Sequence, residues 1–462
     1  MCVYLQSMAW KQDKESFKSL LSEIKNEKGG FLHPFVLYLF YEKKDNMDKT
    51  TNYVGQPIFS QLLSLLDDGS IALACKEHQA DKFTKKLSFK DHLTTMLYTV
   101  FSGCTSIREV QAGLELCEGK LNHFDLTRVP ARSTLNDGNK NRTSKVFGTL
   151  YQKLFEKYKG IISDSTMDKA VADKLYILDS TTISLFKAIL KPAGRKRIDG
   201  KSKGGMKVYT LLKADNNMPS FINFSAAAMH DQQFYQYINV LPGGSIITFD
   251  KAYINYEQFD TFNGREITYV VPQKDNASFI SIKELDLHDE EPYILKDEIV
   301  EVKYKIFIEG IEVKKTLQLR RLAYYSKKHE ATFVYWTNNM ELSVMQVVEV
   351  YTYRWKIEVF FKKLKQNFAL NYFLGDNENA IEIQIWCALI ALVLLQVLHK
   401  ENEATLAFTV LTAIVRLHLM NYIGIISIIK KYKLKRTRTI KMPAKKPRKK
   451  IPAPHFMPEL QF

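Results

Sequence analysis

Apolar positions along the chain keep one period up to about residue 155 and another from residue 174. From Phe59 to about Leu154 they recur every three or four residues, as helices with one buried face require. The run SFKDHLTTMLYTVFSGC carries Leu93, Met96, Leu97 and Val100 on that period, and Ser88 stands at the N-cap position. TSIREVQAGLEL and VPARSTLNDGNKNRTSKVFGTLYQKLF continue the helical pattern, with Pro130 restricting the start of the second. From Lys174 the period is two. KLYILDSTTISLF, MKVYTLLKAD, PSFINFSAA and GSIITFD read as strands rich in β-branched and aromatic residues. The basic, glycine-rich KPAGRKRIDGKSKGG between the first two reads as a loop. Helical stretches HDQQFYQYINVL and INYEQFDTF flank the fourth strand, and REITYVV is a fifth. Alternation from Gln273 to about His329 predicts antiparallel hairpins turning at Glu309-Gly310. ATFVYWTNN then resumes a strand, and a helix carries YTYRWKIEVFFKKLK from Tyr351 to Lys365.

The most apolar stretch, IWCALIALVLLQVL from Ile385 to Leu398, is shorter than the ~20 residues that span a bilayer and contains Gln396. It reads as a buried core helix. Met1 to Lys14 lacks the sustained apolar run of a signal peptide, so a soluble, cytoplasmic protein is expected. Residues 1–52 are polar and lysine-rich around one apolar island, FLHPFVLYLFY, and form an extension of unknown role.

Composition adds a partner. Of 462 residues, 46% are hydrophobic and 25% charged, the ordinary globular balance, yet the formal net charge is +16. Such an excess points to a polyanion, nucleic acid being the commonest, although an anionic membrane surface would give the same sum. Part of it sits in the tail KKYKLKRTRTIKMPAKKPRKK, Lys430 to Lys450, which has no acidic residue and weakens the argument from the total. The five scattered cysteines form no CxxC pair, against a disulfide framework or a structural zinc site.

The chemistry concentrates in three places. On one continuous helix Tyr351, Arg354, Glu358 and Lys365 fall within an arc of roughly 60°. That stripe borders the apolar face of Ile357, Phe361, Leu364 and Phe368. Alone, it reads as a solvated face with i,i+4 ion pairs. Asp179 lies in YILDSTTISL and Asp250 closes SIITFD. Singly each reads as a turn or cap residue. An acid in or at the end of an apolar strand is costly unless paired or bound to a cation. Together with Glu358 the two would make a three-carboxylate, oxygen-only cluster suited to Mg²⁺ or Mn²⁺, with two ions serving phosphoryl transfer. Farther upstream, Arg132, Ser133, Thr134, Lys140, Asn141 and Arg142 put phosphate-seeking groups around a helix N-terminus, as a DNA-binding unit would. A helical packing domain with a basic surface is the other reading. Lys203 and Lys207 in KSKGGMKVY are further phosphate candidates, and His230-Asp231 is a weaker site candidate against an N-cap role for Asp231.

These residues resemble a known family. Tyr351, Arg354, Glu358 and Lys365 match the Y-x2-R-x3-E-x6-K signature of IS4-type DDE transposases, and Asp179 in LDST and Asp250 in DKAY resemble the contexts of its two catalytic aspartates. The resemblance covers about residues 55 to 400. It implies an α/β (mixed α+β) architecture: an RNase H-like mixed sheet flanked by helices and interrupted by a β-rich insertion, behind an all-α N-terminal DNA-binding domain. The expected bounds are 53–160 for the helical domain, 170–272 and 330–400 for the catalytic core, 273–329 for the insertion, and 401–462 for a helical segment and basic tail. The resemblance implies cut-and-paste DNA transposition: hydrolytic nicking at the element ends, a hairpin intermediate, and strand transfer into target DNA. It also implies Asp179, Asp250 and Glu358 as metal ligands, with Tyr351, Arg354 and Lys365 holding phosphates around a flipped nucleotide. Terminal inverted repeats and target DNA are the partners, and a homodimer is the working assembly, with no membrane and no small-molecule substrate. An aromatic from the insertion would stack on the flipped base, the choices being Tyr293, Tyr304, Phe307, Tyr324 and Tyr325, whereas Trp336 and Trp355 read as packing residues. An inactive, transposase-derived DNA-binding protein is the alternative.

Overall fold

The structure is a computed structural model that describes residues 55–163, 167–184, 195–196, 202–203, 205–226, 238, 241–285, 293–368, 370, 372–401 and 406–429. The N-terminal extension, His230-Asp231 with most of its helix, the side chain of Lys203, and the basic tail lie outside the described residues.

Among the described residues six helices precede the first strand: α1 (Ile58–Leu63), α2 (Asp68–Glu77), α3 (Phe89–Ser102), α4 (Ile107–Glu115), α5 (Arg132–Asn141) and α6 (Lys145–Ile162), with a single turn, α7 (Lys169–Ala172), leading into the sheet. Local chemistry sets their ends. The Ser88 hydroxyl accepts the Asp91 N–H while the Asp91 carboxylate accepts the Ser88 N–H, a reciprocal cap that starts α3. Gly103, at φ 73°, stops it in the left-handed conformation glycine tolerates best.

The sheet has nine strands in the order β5-β4-β1-β6-β7-β11-β10-β9-β8. They are β1 (Leu175–Ser184), β4 (Gly205–Lys213), β5 (Met218–Ala226), β6 (Ile246–Phe249), β7 (Thr268–Pro272), β8 (Ile280–Glu284), β9 (Ile294–Ile308), β10 (Ile311–Ser326) and β11 (Ala331–Thr337). The two-residue strands β2 (Arg195–Lys196) and β3 (Ser202–Lys203) pair separately. β1, β6 and β7 run parallel, and β4 is antiparallel to both of its neighbours. The first five strands thus form the mixed RNase H-like core, and β6 is buried along its whole length, as a parallel strand covered on both faces must be. The insertion does not fold as a separate sheet. β11 pairs antiparallel with β7, so β8–β11 extend the catalytic sheet. Its long hairpin turns at Glu309 and Gly310, with φ of 50° and 81°, between paired Ile308 and Ile311. Two positive φ values in a two-residue loop suit the right-handed twist of the strands.

Five further helices are seen among the described residues: α8 (Tyr256–Gly264), α9 (Val344–Tyr353), α10 (Trp355–Asn367), α11 (Glu378–Glu401) and α12 (Phe408–His418). α11 packs on α3, α5 and α6, so the N-terminal helices share one hydrophobic core with the catalytic half. It is the one helix among the described residues long and apolar enough to cross a membrane, but 89% of its most apolar window is buried inside the protein. A second core, with Phe249, Phe259, Tyr269 and the fully buried Trp336, fills the opposite face of the sheet.

Candidate active site

Strand register builds the site. In the parallel pair of β1 and β6, Leu178 lies opposite Phe249, and both face the second core. The next residue on each strand is an aspartate. Side chains alternate across a sheet, so Asp179 and Asp250 project side by side toward the other face. That face is covered by α10, whose Ile357, Phe360, Phe361 and Leu364 belong to the first core. Glu358 therefore comes down on the same side as both aspartates.

Arg354 ties the acids together. Its Nη2 donates to Glu358 Oε1 at 2.9 Å, and its Nη1 lies 3.9 Å from Asp179 Oδ2. Its guanidinium sits 5.6 Å from the centre of the Tyr351 ring. The backbone contributes too: Ser180 N–H donates to Asp179 Oδ1 and Lys251 N–H to Asp250 Oδ1, each at 2.7 Å. These groups do not neutralise the cluster. Burial pushes the Asp179 carboxyl up to about 6, Asp250 and Glu358 add to the rise, and the Ser180 amide and Arg354 oppose it. The Arg354 Nε is buried with no hydrogen-bond partner. The oxygen-only donor set and its surplus negative charge fit a hard divalent cation. At present Arg354 stands among the acids as the protein's own cation, and among the described residues no three His, Cys, Asp or Glu side chains form a group closed enough to hold a metal ion.

The predicted helix from Tyr351 to Lys365 is interrupted. Arg354 N–H bonds Tyr351 C=O at 3.0 Å and Ile357 N–H bonds Arg354 C=O at 3.2 Å, three-residue spacings that divide α9 from α10. Such a tight turn advances about 120° per residue instead of 100°, so the four polar residues do not share one straight stripe. Lys365 lies farther along, and its Nζ donates to Thr182 C=O, beyond Asp179 on β1, at 3.2 Å.

The remaining predicted residues divide. Arg132 and Ser133 are exposed at the start of α5 and line a cleft of about 670 Å³ with Arg108, Asn136 and Phe373, apart from the carboxylates. Arg142 is buried instead: it donates to Leu87 C=O at 2.6 Å and to Asp81 at 3.1 Å, holding loops together. Lys207 is also buried, 3% exposed, because β4 is covered on both faces, and its Nζ lies over the Tyr209 ring. Trp336 is packed as expected, but Trp355 is 61% exposed at the start of α10. Among the insertion aromatics, the Tyr304 hydroxyl is committed to Asp260 at 2.6 Å, and Phe307 is 72% exposed at the hairpin tip.

Two residues not singled out by the pattern do reach the site. Phe333 and Tyr335 of β11 line a cleft of about 330 Å³ with Asp250, Lys251, Lys274 and Tyr351. The Tyr335 and Tyr351 rings are 5.0 Å apart, and Phe333 and Tyr335 are parallel. The alternation in ATFVYWT was the available signal, since it puts both on one face of the strand.

Residues 172–394 match the family model described as the transposase DDE domain, and residues 54–125 match a domain of unknown function, DUF4372. A protein of Sinorhizobium fredii that carries a transposase name, y4zB, is 26% identical over 60% of this chain and 74% of its own. Proteins named as transposases of the elements IS5377, from Geobacillus stearothermophilus, and IS4SA, from Synechocystis, are each 23% identical. They cover 51% and 59% of this chain and 60% and 73% of their own. A piggyBac transposase synaptic complex with hairpin DNA aligns over 86% of this chain and 87% of that one, at 11% identity and a TM-score of 0.38, too loose to argue from. Residues 172–394 thus match a transposase DDE domain, and the relatives carry transposase names, one of them for an element named IS4SA. The chain is accordingly a DNA transposase, a DNA-cleaving enzyme akin to those of bacterial insertion elements.

Proposed function

We propose that Asp179, Asp250 and Glu358 are the catalytic carboxylates of metal-dependent, cut-and-paste transposition. The observation that carries this reading is the Leu178–Phe249 register, which brings the two aspartates together on the face that Glu358 also meets. Mg²⁺ or Mn²⁺ ions held by the three acids would activate the attacking oxygen and stabilise the leaving 3′-oxygen. The protein's own groups position the DNA. Arg354, now shared between Asp179 and Glu358, is the cation placed to pass from the acids to a scissile-strand phosphate. Tyr351 and Lys365 flank it, and the Phe333–Tyr335 cleft beside Asp250 offers a ring platform for a flipped base. Arg108, Arg132 and Ser133 would follow the backbone of the element end.

In the nicking step water oxygen bonds to phosphorus and the 3′-oxygen leaves. The freed 3′-hydroxyl would then attack phosphorus on the opposite strand, displacing the flanking 3′-oxygen and closing a hairpin. Water would reopen the hairpin by displacing the element's 3′-oxygen again, and the 3′-hydroxyl would attack a target phosphorus, displacing a target 3′-oxygen. Two copies of the chain would act on paired ends, in the cytoplasm. The test is cleavage of a duplex carrying the terminal inverted repeats of the encoding element, with and without Mg²⁺. Strand cleavage that survives Asp250→Asn would reject the assignment.

A further inference from the structure

The loop between α2 and α3 displays an aromatic ring to solvent. Residues 81–86 are all exposed, and Phe83 is 90% exposed among them. Its backbone is held at φ 63°, in the left-handed region that a bulky side chain disfavours, and Gln79 at the start of the loop has φ 47°. Packing does not account for this strain, because the ring buries almost nothing. A rigid frame holds it instead. Arg142, the C-cap of α5, donates from Nε to Ala80 C=O at 3.2 Å and from Nη2 to Leu87 C=O at 2.6 Å, so one buried guanidinium pins both ends of the loop. Arg128 Nη2 donates to Lys86 C=O at 3.0 Å, and Asp81 Oδ1 accepts the Phe89 N–H at 2.6 Å. Strain kept in place by its surroundings points to a use for the strained group.

The charge around the ring names the partner. Lys82 Nζ lies 5.4 Å from the Phe83 ring centre and donates to the Gln79 side chain at 3.0 Å. The side chains of Lys85 and Lys86 have no ion pair or hydrogen bond among the described residues. The acid of the loop, Asp81, is already committed to Arg142 and to the Phe89 N–H. An apolar ring in a rim of cations suits a polyanion with a stackable interior, which for a DNA transposase is duplex DNA. Position agrees with charge. Arg142 fixes the loop at the C-terminal end of α5, and Arg132 and Ser133 lie at its N-terminal end. The 10 residues of α5 span about 15 Å, the rise of roughly four base pairs.

We propose that Phe83 is an apolar wedge that enters duplex DNA between two base pairs, with Lys82, Lys85 and Lys86 on the flanking phosphates. The wedge rests on the reading of Arg108, Arg132 and Ser133 as followers of the element-end backbone, and it marks where that DNA is unstacked and kinked. It does not depend on the carboxylate assignment, because no residue of the loop belongs to that cluster.

The test uses the full-length protein in EDTA, where the DNA stays uncut, and duplexes of the terminal repeat with 2-aminopurine at one position each. The wild-type protein raises the fluorescence at one base step, the mark of unstacking. Phe83→Ala abolishes that rise and weakens binding roughly tenfold, whereas Phe83→Leu, still an apolar wedge, keeps most of it. Lys85→Gln/Lys86→Gln keeps the rise at saturating protein but reduces the salt dependence of log K by about two counterions. Phe83→Gly, which suits φ 63°, loses the rise without lowering the melting temperature. The same fluorescence from Phe83→Ala and wild-type protein at every position overturns the proposal, and a lower melting temperature for Phe83→Gly overturns it by making the ring a packing group. Protein that fails to cleave DNA but keeps the Phe83-dependent rise rejects only the carboxylate reading. Cleavage without any such rise rejects only the wedge.

Discussion

Two parts of the sheet bury arginine against acid, and they do so differently. In the insertion, Arg320 Nε and Nη2 donate to the two Asp297 oxygens at 2.9 and 2.7 Å, and Nη1 donates to Leu342 C=O at 2.6 Å. Beside it Arg321 Nη1 meets Glu298 at 2.6 Å, while its Nε meets Gln273 at 2.7 Å. Each acid there has its own arginine. At the ends of β1 and β6, Arg354 serves two acids, Glu358 at 2.9 Å and Asp179 only at 3.9 Å, and its Nε is left over. Burial pushes both Glu298 and Asp179 up. The Ser281 hydroxyl, Arg321 and Lys296 outweigh burial and bring Glu298 below the usual range, whereas Asp179 stays at about 6. A fully satisfied pair fixes structure. An under-compensated cluster keeps free energy in reserve for a cation and a phosphate.

The sharpest break between the two regions is in activity. Asp250→Asn or Glu358→Gln should lower Mg²⁺-dependent cleavage roughly a thousandfold or more while leaving the fold and DNA binding in place, measured on one labelled duplex. Stability should separate the arginines next. Arg320→Ala strands a buried Asp297 and should cost about 3–5 kcal/mol in urea unfolding. Arg354→Ala should cost roughly 1–2 kcal/mol, because its ion pairs are looser and partly solvated, yet abolish cleavage. Equal losses of stability would show that the two arginines play the same part.

A smaller effect has a definite pH window. The folded pKa of Asp179, about 6, lies above the ordinary aspartate value of 3.8. The folded state therefore holds an extra proton between those values. The stability that comes with it is fully present below about pH 4 and is lost as pH rises through 6. In EDTA, Asp179→Asn should stabilise the protein at pH 8 by on the order of 2 kcal/mol and by almost nothing at pH 4, read from thermal melts. A pH-independent change would mean that the cluster is compensated after all.

Much of the site was legible because it is written in strands. Asp179 and Asp250 interrupt apolar runs, which marks them, but only the register that sets Leu178 opposite Phe249 puts them side by side. The insertion hairpin was legible from Glu309-Gly310. Long-range matters were not. Nothing local says that β11 will pair with β7 and make the insertion part of the catalytic sheet. Lys207 follows a basic loop and reads as surface, but β4 is covered on both sides. The break at Arg354 leaves no mark in the apolar period, since Arg354 itself keeps helical angles, φ −51° and ψ −31°. Phe333 and Tyr335 carry no mark beyond strand alternation, because their place beside Asp250 depends on β11 pairing with β7.

The two tryptophans near the site carry the smallest effect. Pattern alone gave both a packing role, and Trp336 has it, fully buried among Tyr256 and Phe279. Trp355 follows the arginine that breaks the helix, and the tight turn there leaves its ring 61% exposed instead of packed. A side chain with so little buried area contributes little to folding. Trp355→Ala should therefore shift stability by no more than about 0.5 kcal/mol in urea unfolding. A loss of several kcal/mol would instead place Trp355 in the core and restore the straight helix from Tyr351 to Lys365.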